Sequence, residues 1–264
     1  MSSTPRSAPH FVLTLWTDDP ERARTADAAG VDRIGLDLER LGKRERQHDP
    51  RLWQTTHSED SLPLIGRSLS RAKLFARTNP PHQGWADEAD RLIAAGAEVL
   101  MLPAFHSAAQ VRDALAVVGD RALLVPLIET AEALEDVHAI ASIDGLREAH
   151  FGLNDLAIGM RLGNRFDVLA RPELERAAHV LADAGLRVGV GGIGRAHDSS
   201  LPVPSDRVYA QYPRLRASAA LIARSFFAGL EPGPEPLSAA VAAARDRLAH
   251  WHRTHEAAMA EVAA

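Results

Sequence analysis

Several side chains that can do chemistry stand where apolar runs end. Glu129 closes LLVPLI, Arg77 closes KLFA, and Asp37 and Glu39 close RIGLDLE. Asp155 follows Gly152 and Asn154 in FGLNDL, Asn79 follows Arg77 by two residues, and Arg224 and Ser225 end the run AALIARS. A carboxylate at the tip of a buried strand is costly unless a cation or hydrogen bonds compensate it. A buried guanidinium asks equally for an anion in bidentate contact. Brought to one place, these groups would suit a hard cation with oxygen ligands and an anionic small molecule. Blander readings compete: Glu129 or Asp155 can cap the helix that follows it, and Arg77 can simply pair with Glu129.

Something must bring them together, and the alternation of the chain supplies it. Short β-branched or Leu-rich runs alternate with longer stretches of helical period, as expected for parallel strands joined by crossover helices. Eight strands can be placed: Phe11 to Trp16, a second ending at Leu38, Lys73 to Arg77, Glu98 to Pro103, Ala122 to Glu129, Arg147 to Gly152, Leu186 to Gly191, and Ala219 to Phe226. Asp18, Asp19 and Pro20 provide an N-cap and a first-turn proline for the first helix. Eight strand–helix units in a chain of 264 residues predict an α/β fold, a (β/α)8 TIM barrel, which usually needs roughly 250 residues; a doubly wound open sheet is the rival. Residues 1–230 are assigned to the barrel. Residues 231–264 are read as a Pro/Gly linker and a long C-terminal helix packing on the barrel or on a neighbouring subunit. In a parallel barrel the strands' C-terminal ends form the active-site face, which is where the polar residues above fall.

Composition narrows the chemistry. The chain has no cysteine, which removes disulfides, zinc-thiolate sites and a thiol nucleophile. A net charge of -5 without a basic stripe argues against nucleic acid. The N-terminus MSSTPRSAPH lacks an apolar signal core and no run is long enough to span a membrane, so a cytoplasmic protein without a membrane partner is expected.

On DRIGLDLE (residues 32–39), ARTN (76–79), GAEVLMLP (96–103), LIET (127–130) and GLNDL (152–156), the chain resembles the HpcH/HpaI aldolase and citrate lyase β-subunit family of phosphoenolpyruvate- or pyruvate-binding barrels. The resemblance runs from about Phe11 to Phe226. It implies that Arg77 binds a substrate carboxylate, while Glu129 and Asp155 ligate Mg²⁺ (or Mn²⁺) that also takes the oxygens of a 2-oxo acid. The implied reaction is metal-dependent carbon–carbon lyase (aldolase) chemistry, releasing or using pyruvate or a related enolate, with the metal as Lewis acid. A coenzyme A thioester lyase of citryl or malyl type and a catalytically idle 2-oxo acid binder or scaffold are the alternatives. The relatives assemble through C-terminal helices, which implies a homo-oligomer, a trimer or hexamer.

One departure matters. In the hydroxy-oxo acid aldolases of this family a His follows the acidic pair after the second strand, and here that position is Arg40. His57, in THSED on the long polar loop that follows, is the candidate replacement as proton acceptor. Asp37 and Glu39 join it and Arg77 as catalytic candidates, and Asn79, Gly191, Gly192, Arg224 and Ser225 as substrate-binding ones. Lys43, Arg44, Arg46, Arg195 and Arg224 are candidates for an anionic distal group. His250, His252 and His255 have near-metal spacing on the last helix, where a solvated or subunit-facing surface is the better reading.

Overall fold

A computed structural model of the chain describes residues 10–43, 56–199, 203–231 and 233–263. The candidates Arg44 and Arg46, and the N-terminal stretch before His10, lie outside these residues. Eight parallel strands pair in chain order and close, β8 against β1. They are β1 (Val12–Trp16), β2 (Arg33–Asp37), β3 (Lys73–Arg77), β4 (Val99–Leu102), β5 (Leu123–Ile128), β6 (Glu148–Phe151), β7 (Arg187–Ile193) and β8 (Ala217–Ile222). The fold is a (β/α)8 barrel.

Period-two alternation decides what faces where. On β3, β4 and β5 the even-numbered Leu74, Leu100, Leu102, Leu124 and Ile128 join the large core between sheet and helices. The odd-numbered Phe75, Val99, Met101, Val125 and Leu127 form a second core inside the barrel with Leu221. Continuing the odd series carries Arg77 and Glu129 inward at the top. On β2 the outward Ile34 and Leu36 leave Arg33, Gly35 and Asp37 on the inner face. Gly35 is required there, because a Cβ would lie 1.6 Å from the Phe75 carbonyl oxygen.

Low in the barrel, the sequence builds a buried polar layer. Arg33 donates from both terminal nitrogens to Glu148, each at 2.7 Å, and His150 Nε2 lies 2.7 Å from Glu148 Oε1. Burial pushes the Glu148 carboxyl up, but Arg33 and His150 outweigh it and hold it well below the usual range. A Cβ at Gly189 would lie 2.2 Å from the His150 ring, so β7 needs glycine beside it.

The first helix, Pro20–Ala28, starts as expected, with the Asp19 side chain accepting from the Glu21 and Arg22 amides. Part of the long excursion after β2 folds as a 3-10 turn, Glu59–Ser61, and a helix, Leu62–Ser68. The eighth strand is corrected most: it begins at Ala217 and stops at Ile222, and Arg224–Phe227 form a 3-10 turn. The Ala223 amide still donates to the Ile193 carbonyl at 2.8 Å, whereas that of Phe226 turns back to Ala223. The last helix, Pro234–Ala263, lies against its own barrel and buries Leu237, Val241, Ala244 and Leu248. Arg245 reaches under the barrel to the carbonyls of Phe11 and Gly30, each at 2.6 Å, and to Asp32 at 2.8 Å.

Candidate active site

A cavity of about 570 Å³ opens at the C-terminal ends of the strands. Of the candidates, Asp37, Lys43, His57, Arg77, Glu129, Asp155, Gly191, Gly192, Arg224 and Ser225 line it. Glu39 and Asn79 do not.

Glu129 sits on the residue after β5, and it caps nothing: the helix Ala131–Glu135 is capped by Thr130, whose hydroxyl accepts from the Ala133 amide. Its Oε1 accepts instead from the Ala104 amide at 2.9 Å. The side chain is only 6% exposed. Burial, and then the negative charges of Glu39 and Asp155, push its carboxyl well above the ordinary value; Arg77 and the Ala104 amide only partly offset them. A buried carboxylate raised by its neighbours is stabilised by a cation brought beside it. Asp155 lies in the first turn of the helix Leu153–Gly159, and the capping position belongs to Gly152. Among the described residues no three His, Cys, Asp or Glu side chains group as a metal cage. The donor set therefore fits an ion that takes one or two protein carboxylates and fills its shell with water and substrate, as Mg²⁺ does.

Arg77 has a different partner from the one its position suggested. Its Nε and Nη2 donate to Asp37 Oδ1 and Oδ2, both at 2.7 Å, and Nη2 lies 3.2 Å from Glu39 Oε2. Lys43 Nζ adds contacts to Asp37 at 3.1 Å and Glu39 at 3.3 Å. Burial raises the Asp37 carboxyl, yet Arg77 and Lys43 together hold it far below the usual range. Trp16 covers the guanidinium, with Arg77 Cζ 4.4 Å from the ring centroid. Nη1 makes no hydrogen bond among the described residues, and it is the edge that can meet a substrate carboxylate. Lys43 is thus absorbed into the Asp37 and Glu39 network rather than offered to a distal group.

Asn79 is structural. Its Oδ1 accepts from the amides of Arg40 and Leu41 at 2.9 and 3.0 Å, and its Nδ2 donates to Glu88. Arg40, where the resemblance implied a His, turns to the His57 carbonyl at 2.6 Å and holds that loop. His57 itself accepts the Asp37 amide on Nδ1 at 3.0 Å. A ring nitrogen that accepts from an amide carries no proton, so the neutral imidazole is protonated on Nε2. That nitrogen lies 3.6 Å from Asp18 Oδ1. Burial is the largest influence on His57 and lowers its pKa. In this arrangement His57 presents a donor, not the proton acceptor its sequence context suggested.

Among the other expectations, Arg195 lies 3.8 Å from Asp198 and stays off the cavity. His252 packs edge-on against Phe11 on the last helix, away from the strand ends. Sequence reasoning missed Trp16, Asp18, Arg22, Arg165 and Phe227, all of which line the cavity. Trp16 and Asp18 had a signal, since they end the first strand as Glu129 ends the fifth. Arg165 had none, because it lies in a connection whose path the sequence does not reveal.

A family model of HpcH/HpaI aldolase/citrate lyase matches residues 11–190. The chain belongs to that family. HpcH/HpaI membership carries lyase or aldolase chemistry as the kind of reaction, with Glu129 and Arg77 inside the matched region. Among solved structures, the HpcH/HpaI aldolase of Desulfitobacterium hafniense DCB-2 superposes with a TM-score of 0.59 at 17% identity, covering 81% of this chain and 86% of that one. An HpcH/HpaI aldolase/citrate lyase family protein of Burkholderia cenocepacia J2315 gives 0.61 at 17%, covering 84% and 92%. The citrate synthase SbnG gives 0.61 at 14%, covering 90% and 94%. At these identities the likeness is one of fold. No curated protein matches the chain by sequence.

Proposed function

We propose that this HpcH/HpaI family member is a divalent-metal-dependent carbon–carbon lyase that releases or uses pyruvate, or a closely related 2-oxo acid, at the cavity above β5 and β6. The observation that carries the reading is the Glu129 carboxylate, buried at the cavity wall and held there by the Ala104 amide, with Asp155 lining the same cavity. Glu129 and Asp155 are the residues that would hold Mg²⁺ or Mn²⁺. When bound there, the ion supplies Lewis-acid stabilisation of negative charge developing on the 2-oxo oxygen.

The chain's own groups do the rest. Arg77, fixed by Asp37 on one edge and roofed by Trp16, offers Nη1 to the substrate carboxylate, and its orientation is set before substrate arrives. Cleavage of a 4-hydroxy-2-oxo acid removes the hydroxyl proton, breaks the bond between carbons 3 and 4, and sends the electron pair toward the 2-oxo oxygen. Asp18 is the cavity carboxylate placed to accept that proton, with His57 Nε2–H 3.6 Å away to steady its charge. Carbon 3 then regains a proton to give the released 2-oxo acid.

The test is release of pyruvate from 4-hydroxy-2-oxo acids with added Mg²⁺ or Mn²⁺, run beside Glu129→Gln. Metal-dependent release by the native chain, lost in the variant, is expected; equal rates in both would overturn the reading.

A further inference from the structure

Three further arginines line the same cavity. Arg22 lies on the helix after β1, Arg165 in the connection after β6, and Arg224 in the 3-10 turn after β8. The closed strand order puts their supports on one arc, β6 through β8 to β1. Between them β7 offers Gly191 and Gly192, which fill no space with side chain: a Cβ at Gly192 would meet nothing within 4 Å. Gly192 also has φ +89, a conformation that favours glycine.

Neither Arg22 nor Arg165 has a carboxylate within ion-pair distance among the described residues. Each instead lies over an aromatic ring, Arg22 Cζ 5.5 Å from the Phe227 centroid and Arg165 Cζ 4.9 Å from that of Phe166. Aromatic faces steady a guanidinium without neutralising it. Among the described residues the only hydrogen bond from the Arg165 side chain is a long one, 3.4 Å, to Asn154 Oδ1. Although the Arg165 side chain is exposed overall, its guanidinium loses water at the wall. That loss, and then the nearby charge of Arg224, lowers its pKa. Like charges kept together around an open space mark a place for an opposite charge.

We propose that Arg165 and Arg22, with Arg224, form an anion subsite that takes a phosphate or carboxylate carried by the second substrate, the aldehyde or thioester half of the reaction. This rests on the lyase reading for the identity of the first half, while the subsite itself stands on the cavity geometry. It replaces the distal-group candidates Lys43 and Arg195, whose charges are met by their own neighbours.

The experiment compares glyceraldehyde 3-phosphate with glyceraldehyde, and succinic semialdehyde with butanal, as acceptors for pyruvate in the native chain, Arg165→Met and Arg22→Met. Calorimetry with glycerol 3-phosphate, an unreactive probe, and with acetyl-CoA runs alongside. The native chain should prefer the charged member of a pair by roughly 10- to 100-fold in kcat/KM, the scale of one charge-assisted contact. Either substitution should erase most of that preference by lowering kcat/KM for the charged acceptor more than for the neutral one, and should weaken the calorimetric binding. Binding of acetyl-CoA that falls in both variants would support the subsite and name thioester phosphates as its ligand. Equal rates for charged and neutral acceptors in the native chain, or probe binding unmoved by both substitutions, would overturn the proposal. Metal-dependent exchange of pyruvate methyl protons with deuterated solvent reports the first half-reaction by itself. Its loss counts against the lyase reading and leaves the glycerol 3-phosphate result to decide the subsite.

Discussion

Gly152 and Glu129 occupy adjoining space so tightly that a Cβ at position 152 would lie 2.4 Å from Glu129 Oε2 and 2.8 Å from its Cβ. The Gly152 amide is also tied to the Ile128 carbonyl at 3.0 Å. The turn that leads to Asp155 is therefore seated directly on the strand end that carries Glu129. Gly152→Ala should push the Glu129 carboxylate aside while leaving the barrel closed. A displacement of about 1 Å at a reacting group can cost about 100-fold, so kcat/KM should fall at least that far with only a small change in Tm. Kinetics and thermal melts of one preparation check this, and an unchanged rate would separate Gly152 from the site.

Glu129 should lower the stability of the metal-free chain at neutral pH. Its folded-state pKa is raised, so above the ordinary value of 4.5 the folded chain keeps a proton that the unfolded chain has released. Stability from this group is present below that pH and is lost as pH rises through the raised value. Glu129→Gln should therefore melt higher than the native chain at pH 8 in chelator, by a few degrees at roughly 2–4 °C per kcal/mol. Added Mg²⁺ or Mn²⁺ should raise the native Tm and leave the variant's in place. A variant that melts lower in chelator would contradict this.

Asp37→Asn leaves the buried Arg77 without its bidentate partner. Breaking such a pair from one side costs about 3–5 kcal/mol, measured as a fall in the urea midpoint. Because Asp37 is depressed in the fold, its contribution is complete above the ordinary carboxylate value of 3.8 and fades only as pH falls below it. The native and variant midpoints should thus differ at pH 7 and converge in strong acid.

His57 should be neutral at pH 7 and protonated on Nε2. Its Nδ1 is held by the Asp37 amide and burial lowers its pKa. Nitrogen chemical shifts of the ring report the tautomer directly. A proton found on Nδ1 would mean that the amide contact is absent in solution and would restore His57 as a candidate base.

Gly35→Ala should not yield folded protein. The new Cβ would meet backbone, the Phe75 carbonyl oxygen at 1.6 Å, and no rotamer change relieves a backbone clash. Soluble expression compared with Gly30→Ala, where a Cβ meets nothing within 4 Å, separates this crowding from the cost of replacing glycine at positive φ.

How much of this was legible beforehand follows from the range of each interaction. A charged residue closing an apolar run such as KLFA or LLVPLI is a local signal, and the fold brings Arg77 and Glu129 to one cavity. The partner of Arg77 was not local: Asp37 lies 40 residues away in sequence, and its contact depends on the register of β2 against β3. Strand eight stops short of the expected Phe226 because the backbone turns at Ala223, where the Phe226 amide donates back to the Ala223 carbonyl, and nothing in the residue types of ARSF marks that turn. His57 lines the cavity, but its protonation depends on the Asp37 amide, to which nothing local in THSED points. Arg22 and Arg165 were invisible because they reach the cavity from connections.

The Arg245 clamp joins residues 234 positions apart where it meets the Phe11 carbonyl. Together with the pairing of β1 to β8, it ties β1 to segments far along the chain. Until β8 (Ala217–Ile222) has been made, the sheet is open and its edges have no partner. Such edges invite pairing with other chains. The cavity's β8 and β1 walls come together only with that closure, so binding of any ligand that spans them requires it.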